Sequence, residues 1–130
     1  MEFYFNSPNS KLPETRIPGD GRGPTLTNSD VIAKIKSDFQ FYEKTEKSFM
    51  LTRAFREKSA ETEQKSIIRR APFYVIDHTS MPSILIELGF ISNRREAKKL
   101  TSKTHQDALA RQLAAAILKY KEKSDKLSVL

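Results

Sequence analysis

A single carboxylate, Glu87, stands inside the otherwise apolar run Ile84-Leu85-Ile86-Glu87-Leu88-Gly89-Phe90-Ile91. A charge in a strand that should bury both faces is costly unless it is paired or used. The bland account is a strand-end glutamate that reaches water or a neighbouring Lys or Arg. The chemical account is a carboxylate at the C-terminal edge of a central strand, where α/β sheets place their sites. There it would move protons as a general acid/base. Other reactive side chains are few. His78 and His105 are the only histidines, and cysteine is absent. That excludes disulfides, thiolate zinc sites and a cysteine nucleophile. The histidines lack the spacing of a metal pair, so surface or helix-end roles are expected for both, and no metal-ligand set is legible.

The elements that must position Glu87 follow from the patterning. "EFYFN" at 2–6 alternates weakly, is rich in aromatics and reads as a strand. Residues 7–27 hold most of the prolines and all but one of the glycines, so they read as a loop. Helices are expected over 28–66. Asp30 sits in the first turn, and Val31, Ile32, Ile35 and Phe39 recur at helical spacing. A second helix, or a continuation of the first, runs from about Lys47 to Lys65. The period then changes. "FYVID" at 73–77 and "SILIELGF" at 83–90 read as strands, the second apolar on both faces. Asn93 with Glu96 three residues on resembles a capping box, as do Thr104 and Asp107. Helices follow over 94–123. Leu109, Leu113, Ile117 and Tyr120 line one stripe of the last, and 124–130 should fray. The expectation is a single α/β domain over 1–130. Its sheet is partial, mixed or mostly parallel, with helices on both faces. A chain that opens within a strand reads as part of a larger domain.

Charge narrows the partners. Residues 1–93 carry 13 Lys+Arg and 12 Asp+Glu, a net of +1, while residues 94–130 carry 10 and 4, a net of +6. The basic C-terminal helices would attract an anionic polymer. Aromatic residues are not interleaved with the basic ones and no nucleic-acid motif is present, so nucleic acid is not the expected partner. No apolar run is long enough for a transmembrane segment, and the N-terminus lacks the basic start of a signal peptide.

The stretch Met81-Pro82-Ser83-Ile84-Leu85-Ile86-Glu87-Leu88-Gly89-Phe90-Ile91-Ser92-Asn93 closely resembles the C-terminal signature of the zinc-dependent N-acetylmuramoyl-L-alanine amidases, a family of cell-wall hydrolases. Every position of M-P-x-[IV]-L-[IV]-E-x-G-F-[IL]-S-N is matched. "RRAPFYVIDHTSMPS", "MEFYFNSPNS" and "THQDALARQLAAAILKYKEK" are similar to the family's preceding strand and loop, an earlier strand and loop, and its terminal helix. The resemblance covers nearly all of this chain but only about the C-terminal half of the family domain.

It implies that Glu87 is catalytic, activating a zinc-bound water against the amide between N-acetylmuramic acid and L-alanine, then returning the proton to the leaving amine. Gly89 would let the backbone pass close to the site, Phe90 and Ile91 would anchor the turn in the core, and Asn93 would cap the next helix. The family's zinc ligands, two histidines and a glutamate, lie upstream of the segment that "EFYF" resembles. Neither His78 nor His105 falls at a ligand position. The resemblance therefore implies a bacterial peptidoglycan hydrolase of the cell envelope, periplasmic or extracellular. Its zinc would be held by an upstream segment, and this chain would be inactive alone. The alternative is a non-catalytic remnant, or an anionic-polymer-binding module, of the same fold.

Overall fold

The structure is a computed structural model that describes residues 1–6, 27–62 and 65–127. The loop expected over 7–27 therefore lies, apart from Thr27, outside the described residues. The elements are β1 (Glu2–Phe5), α1 (Asn28–Ala60), β2 (Ile67–Arg70), α2 (Tyr74–Asp77), β3 (Leu85–Glu87), α3 (Arg94–Leu100) and α4 (Lys103–Leu127).

β1 is the middle of a three-stranded mixed sheet of order β2-β1-β3. It pairs parallel with β2, Glu2 opposite Ile67, and antiparallel with β3, Glu2 opposite Glu87. Because side chains alternate along a strand, Phe3 and Phe5 share one face. There Phe3 meets Phe55 of α1 at 5.9 Å between ring centroids, and Phe5 meets Phe49 at 5.1 Å. Phe3, Phe55 and Ala116 are buried together, with Leu51, Ile68, Ile84, Ile86 and Leu113 packed around them. Ala116 has no side chain beyond Cβ, which lets α4 come close to this cluster. The opposite face carries Glu2, Tyr4, Arg69 and Glu87, and there Phe73 sets its ring edge-on to Tyr4 at 5.1 Å.

α1 is one helix of 33 residues rather than two. Its sequence contains no proline or glycine to break it. Thr27 and Asp30 cap it reciprocally: the Thr27 hydroxyl accepts from the Asp30 N–H, and the Asp30 carboxylate accepts from the Thr27 N–H at 2.9 Å. Its buried side is more polar than apolar periodicity implied, with Lys44, Thr45, Ser48, Thr52 and Ser59 buried beside Ala54 and Phe55. The hydroxyls of Thr45, Ser48 and Thr52 donate back to the carbonyls four residues earlier, at 2.9, 2.7 and 2.8 Å, which satisfies them inside the helix. Conversely, Val31, Ile32, Ile35 and Phe39 are exposed, between 42% and 66%. Helical spacing located that stripe correctly but could not say whether anything covers it.

The strand expected at 73–77 is instead the short helix α2, and the strand of this region is β2 at 67–70. The β-rich composition of "FYVID" is overridden by tertiary contacts. The Phe73 carbonyl accepts from the Ile76 and Asp77 N–H groups, and the buried Lys44 ammonium donates to the Ile76 and Asp77 carbonyls at 2.8 and 2.9 Å. A cation at a helix C-terminus, bonded to its last carbonyls, stabilises that turn. Within 83–90 only Leu85–Glu87 is strand. Thr104 is not an N-cap: α4 already begins at Lys103, which pairs with Asp107 one turn on. The tail expected from 124 continues helical to Leu127.

α4 is bound to α1 by Glu57, which receives Lys119 at 2.8 Å and Lys123 at 3.0 Å. The Lys119 and Lys123 hydrogen bonds hold the Glu57 carboxyl down to about 2. Gln112 also donates to the Ser59 hydroxyl at 3.1 Å.

Candidate active site

Glu87 ends β3 and lines a cleft of about 320 Å³ that also takes in Glu2, Gly89, Phe90, Glu96, Lys65, Lys99 and His105. Three carboxylates thus line it, and they differ in what holds them. Glu2 accepts from the Tyr4 hydroxyl and from Arg69 Nε at 3.0 Å. The Tyr4 hydrogen bond, then Arg69, keeps the Glu2 carboxyl below its ordinary range, and the same bond pushes the Tyr4 hydroxyl up to about 12. Glu96 accepts from the Phe90 N–H at 2.8 Å and from the Asn93 side-chain amide at 3.0 Å. Among the described residues, the half-buried carboxylate of Glu87 has no hydrogen-bond or ion-pair partner. It is the one cleft carboxylate left uncommitted, on a strand end whose backbone is fixed by pairing with β1.

The turn after Glu87 is held from α3. Asn93 caps that helix, its side-chain oxygen accepting from the Arg95 and Glu96 N–H groups. Glu96 reaches further back than a capping box requires, past Asn93 to the Phe90 N–H. Gly89 leaves room for the Glu96 carboxylate and takes a φ of +159° that L side chains rarely adopt: a Cβ there would lie 2.9 Å from Glu96 Oε2 and 3.4 Å from Leu100 Cδ1. Phe90 and Ile91, expected to anchor the turn in the core, are instead 53% and 82% exposed. The anchor is polar, through Glu96 and Asn93.

The two histidines separate. His78 is exposed after α2, stacked on Tyr74 at 3.9 Å, and does not line the cleft. His105, in the first turn of α4, does line it. Nothing in the sequence announced this, because the turn between α3 and α4 brings it there. Glu96, Lys99 and Leu100 were more legible, since positions three and four apart share a helix face. Among the described residues no group of three or more His, Cys, Asp or Glu is arranged to hold a metal ion. The zinc that the resemblance implies does not fit these residues. A larger hollow of about 450 Å³ between α1 and the loop after α2 does not include Glu87.

The sequence profile of the N-acetylmuramoyl-L-alanine amidases matches residues 5–119. Over 53 residues the chain is 42% identical to the uncharacterized protein YqiI of Bacillus subtilis, covering 41% of this chain and 26% of that one. It is 36% identical over 53 residues to the N-acetylmuramoyl-L-alanine amidase LytC of Bacillus subtilis, covering 41% and 11%. It is 39% identical over 56 residues to the N-acetylmuramoyl-L-alanine amidase AmiC of Escherichia coli O6:H1, covering 43% and 13%. The matched segment is thus about a quarter or less of these curated relatives. No solved structure matches the chain. No helix among the described residues is long and apolar enough to cross a membrane. With 5–119 matched, the chain belongs to the N-acetylmuramoyl-L-alanine amidase family.

Proposed function

We propose that this chain supplies the proton-transfer carboxylate of a peptidoglycan amidase that acts in the cell envelope on the amide between N-acetylmuramic acid and L-alanine. The observation that carries this is the state of Glu87. It is partly buried at the end of a paired strand and lines a cleft, and among the described residues its carboxylate is not tied up as Glu2 and Glu96 are. A carboxylate so placed takes a proton from an attacking water and delivers it to the departing amine. Gly89 and Glu96 fix the turn that orients it. On this reading the family's zinc is held by the ligands that the resemblance puts upstream of the segment like β1, and hydrolysis requires them.

The test is Glu87→Gln in a reconstituted full-length domain. Muropeptide hydrolysis should fall by about two to four orders of magnitude, the usual contribution of a general acid/base, with zinc content unchanged. The second reading, a non-catalytic module of the same fold, is favoured by the net charge of +6 over residues 94–130, which suits an anionic polymer. It predicts binding to cell-wall sacculi with no hydrolysis in the reconstituted domain.

A further inference from the structure

α1 begins as an arm. Every residue from Thr27 to Gln40 is exposed, and the first buried positions of the helix are Lys44 and Thr45. A free helix of that length is marginal in water. Yet one side of the arm is apolar. Ile32, Ile35, Phe39 and Tyr42 are each between 56% and 66% exposed. Their spacing of three, four and three residues is that of a coiled-coil seam. The same row runs on through Glu46 and Arg53, both exposed, so this side of α1 stays open along the helix. The side that α1 buries is another row, Thr45, Ser48, Thr52, Phe55 and Ser59, roughly 140° round the helix. The body of the chain therefore hangs off the seam rather than over it.

Charge narrows what can cover the seam. From Thr27 to Tyr42 the charged residues are Asp30, Lys34, Lys36 and Asp38, two of each sign. Lys34 lies 3.6 Å from Asp38, and Asp30 is held by the Thr27 cap. The arm has no net field to draw an anionic polymer or an anionic lipid surface.

We propose that the arm pairs with the same arm of a second copy, antiparallel, in a two-fold dimer. This does not depend on the reading of Glu87. Overlap centred on Ser37 sets Ile32 of each copy against Tyr42 of the other, and Ile35 against Phe39. All four apolar positions then find partners within the arm's own length. Lys36, which makes no ion pair among the described residues, comes to lie on the same flank of the seam as Glu43 of the other copy. Parallel overlap instead sets Asp38 against Glu43, two like charges. Four apolar layers make a small interface, so association in the micromolar range or weaker is expected.

Sedimentation equilibrium of the 130-residue chain from about 1 μM to about 1 mM tests the dimer. The mass should rise towards twice that of one chain. Phe39→Asp should weaken association by at least about tenfold, since it places a charge in the seam. Leu118→Asp, at a similarly exposed position on α4, should leave association unchanged. Neither should move the thermal midpoint of the dilute chain. Spin labels at Asn28→Cys, in a chain with no other cysteine, report the direction. Antiparallel overlap holds them roughly 27 Å apart along the axis, and parallel overlap holds them side by side. A chain that stays monomeric throughout overturns the proposal, as does a dimer that Phe39→Asp leaves intact or whose labels lie side by side. So does a monomer that binds phosphatidylcholine vesicles through Phe39, which would assign the stripe to a membrane surface. A monomeric chain whose Phe39→Asp form unfolds only in the reconstituted full-length domain would assign it to the upstream segment, and equally overturns the dimer.

Discussion

Glu2 and Glu87 stand directly opposite each other on the antiparallel β1–β3 pair, and among the described residues only Glu2 is neutralised. Two facing carboxylates on one sheet face repel. Arg69 reaches Glu2 from β2 at 3.0 Å and the Tyr4 hydroxyl bonds it from its own strand. The arrangement spends the available cation and hydroxyl on Glu2 and leaves Glu87 to the cleft.

One consequence is a pH dependence. The Glu2 carboxyl is lowered from its ordinary 4.5, by Tyr4 first and Arg69 second. A group whose folded pKa is depressed contributes stability above its unfolded value, which is lost as pH falls through the lower folded value. The urea midpoint should therefore drop below about pH 4.5, and Glu2→Gln should flatten that drop. An unchanged slope in the variant would show that the Tyr4–Glu2–Arg69 contact carries no stability.

The Glu57 cluster predicts a second acid-sensitive step. With its folded carboxyl near 2, Glu57 favours the folded chain above about pH 4.5 and loses that contribution between 4.5 and 2. Its side chain is 35% exposed, so screening reduces the effect to roughly 0.5–1 kcal/mol. Denaturation of Glu57→Gln against pH, at low and high salt, measures it. The expected outcome is a loss confined to neutral pH and low salt, because the bond joins α1 to α4.

Gly89→Ala should destabilise through Glu96. The added methyl would sit 2.9 Å from Glu96 Oε2, at the end of a flexible side chain that shifts off the Phe90 N–H, and the φ of +159° at Gly89 strains an L side chain in addition. Losing that charge-assisted hydrogen bond costs about 1.5–3 kcal/mol. Thermal unfolding of Gly89→Ala, Glu96→Ala and the double variant checks the route. Partly sub-additive effects are expected, the remainder being the backbone cost at Gly89 itself, whereas full additivity would mean Gly89 acts independently of Glu96.

The sequence carried the local parts of this account and missed the long-range ones. β1, β3, the Asn93 cap and the two C-terminal helices were legible because alternation, capping chemistry and helical spacing are local signals. The helix at 74–77 was not, because it is held by Lys44, more than thirty residues earlier in sequence. Glu87 was legible as a misfit in an apolar run. Its register opposite Glu2 was not, since a carboxylate in "EFYF" says nothing of strand pairing. Phe90 and Ile91 are exposed rather than core for a similar reason: apolar type does not report exposure when neighbouring elements are unknown.

The central claim is that Glu87 transfers the proton in amide cleavage. Its most direct measurement is muropeptide hydrolysis by the reconstituted full-length domain carrying Glu87→Gln, alongside Glu2→Gln and a zinc determination on each. The account predicts a loss of about two to four orders of magnitude for Glu87→Gln, far smaller loss for Glu2→Gln, and equal zinc in all. Near-normal hydrolysis by a folded, zinc-loaded Glu87→Gln domain would contradict it and return Glu87 to a purely structural role.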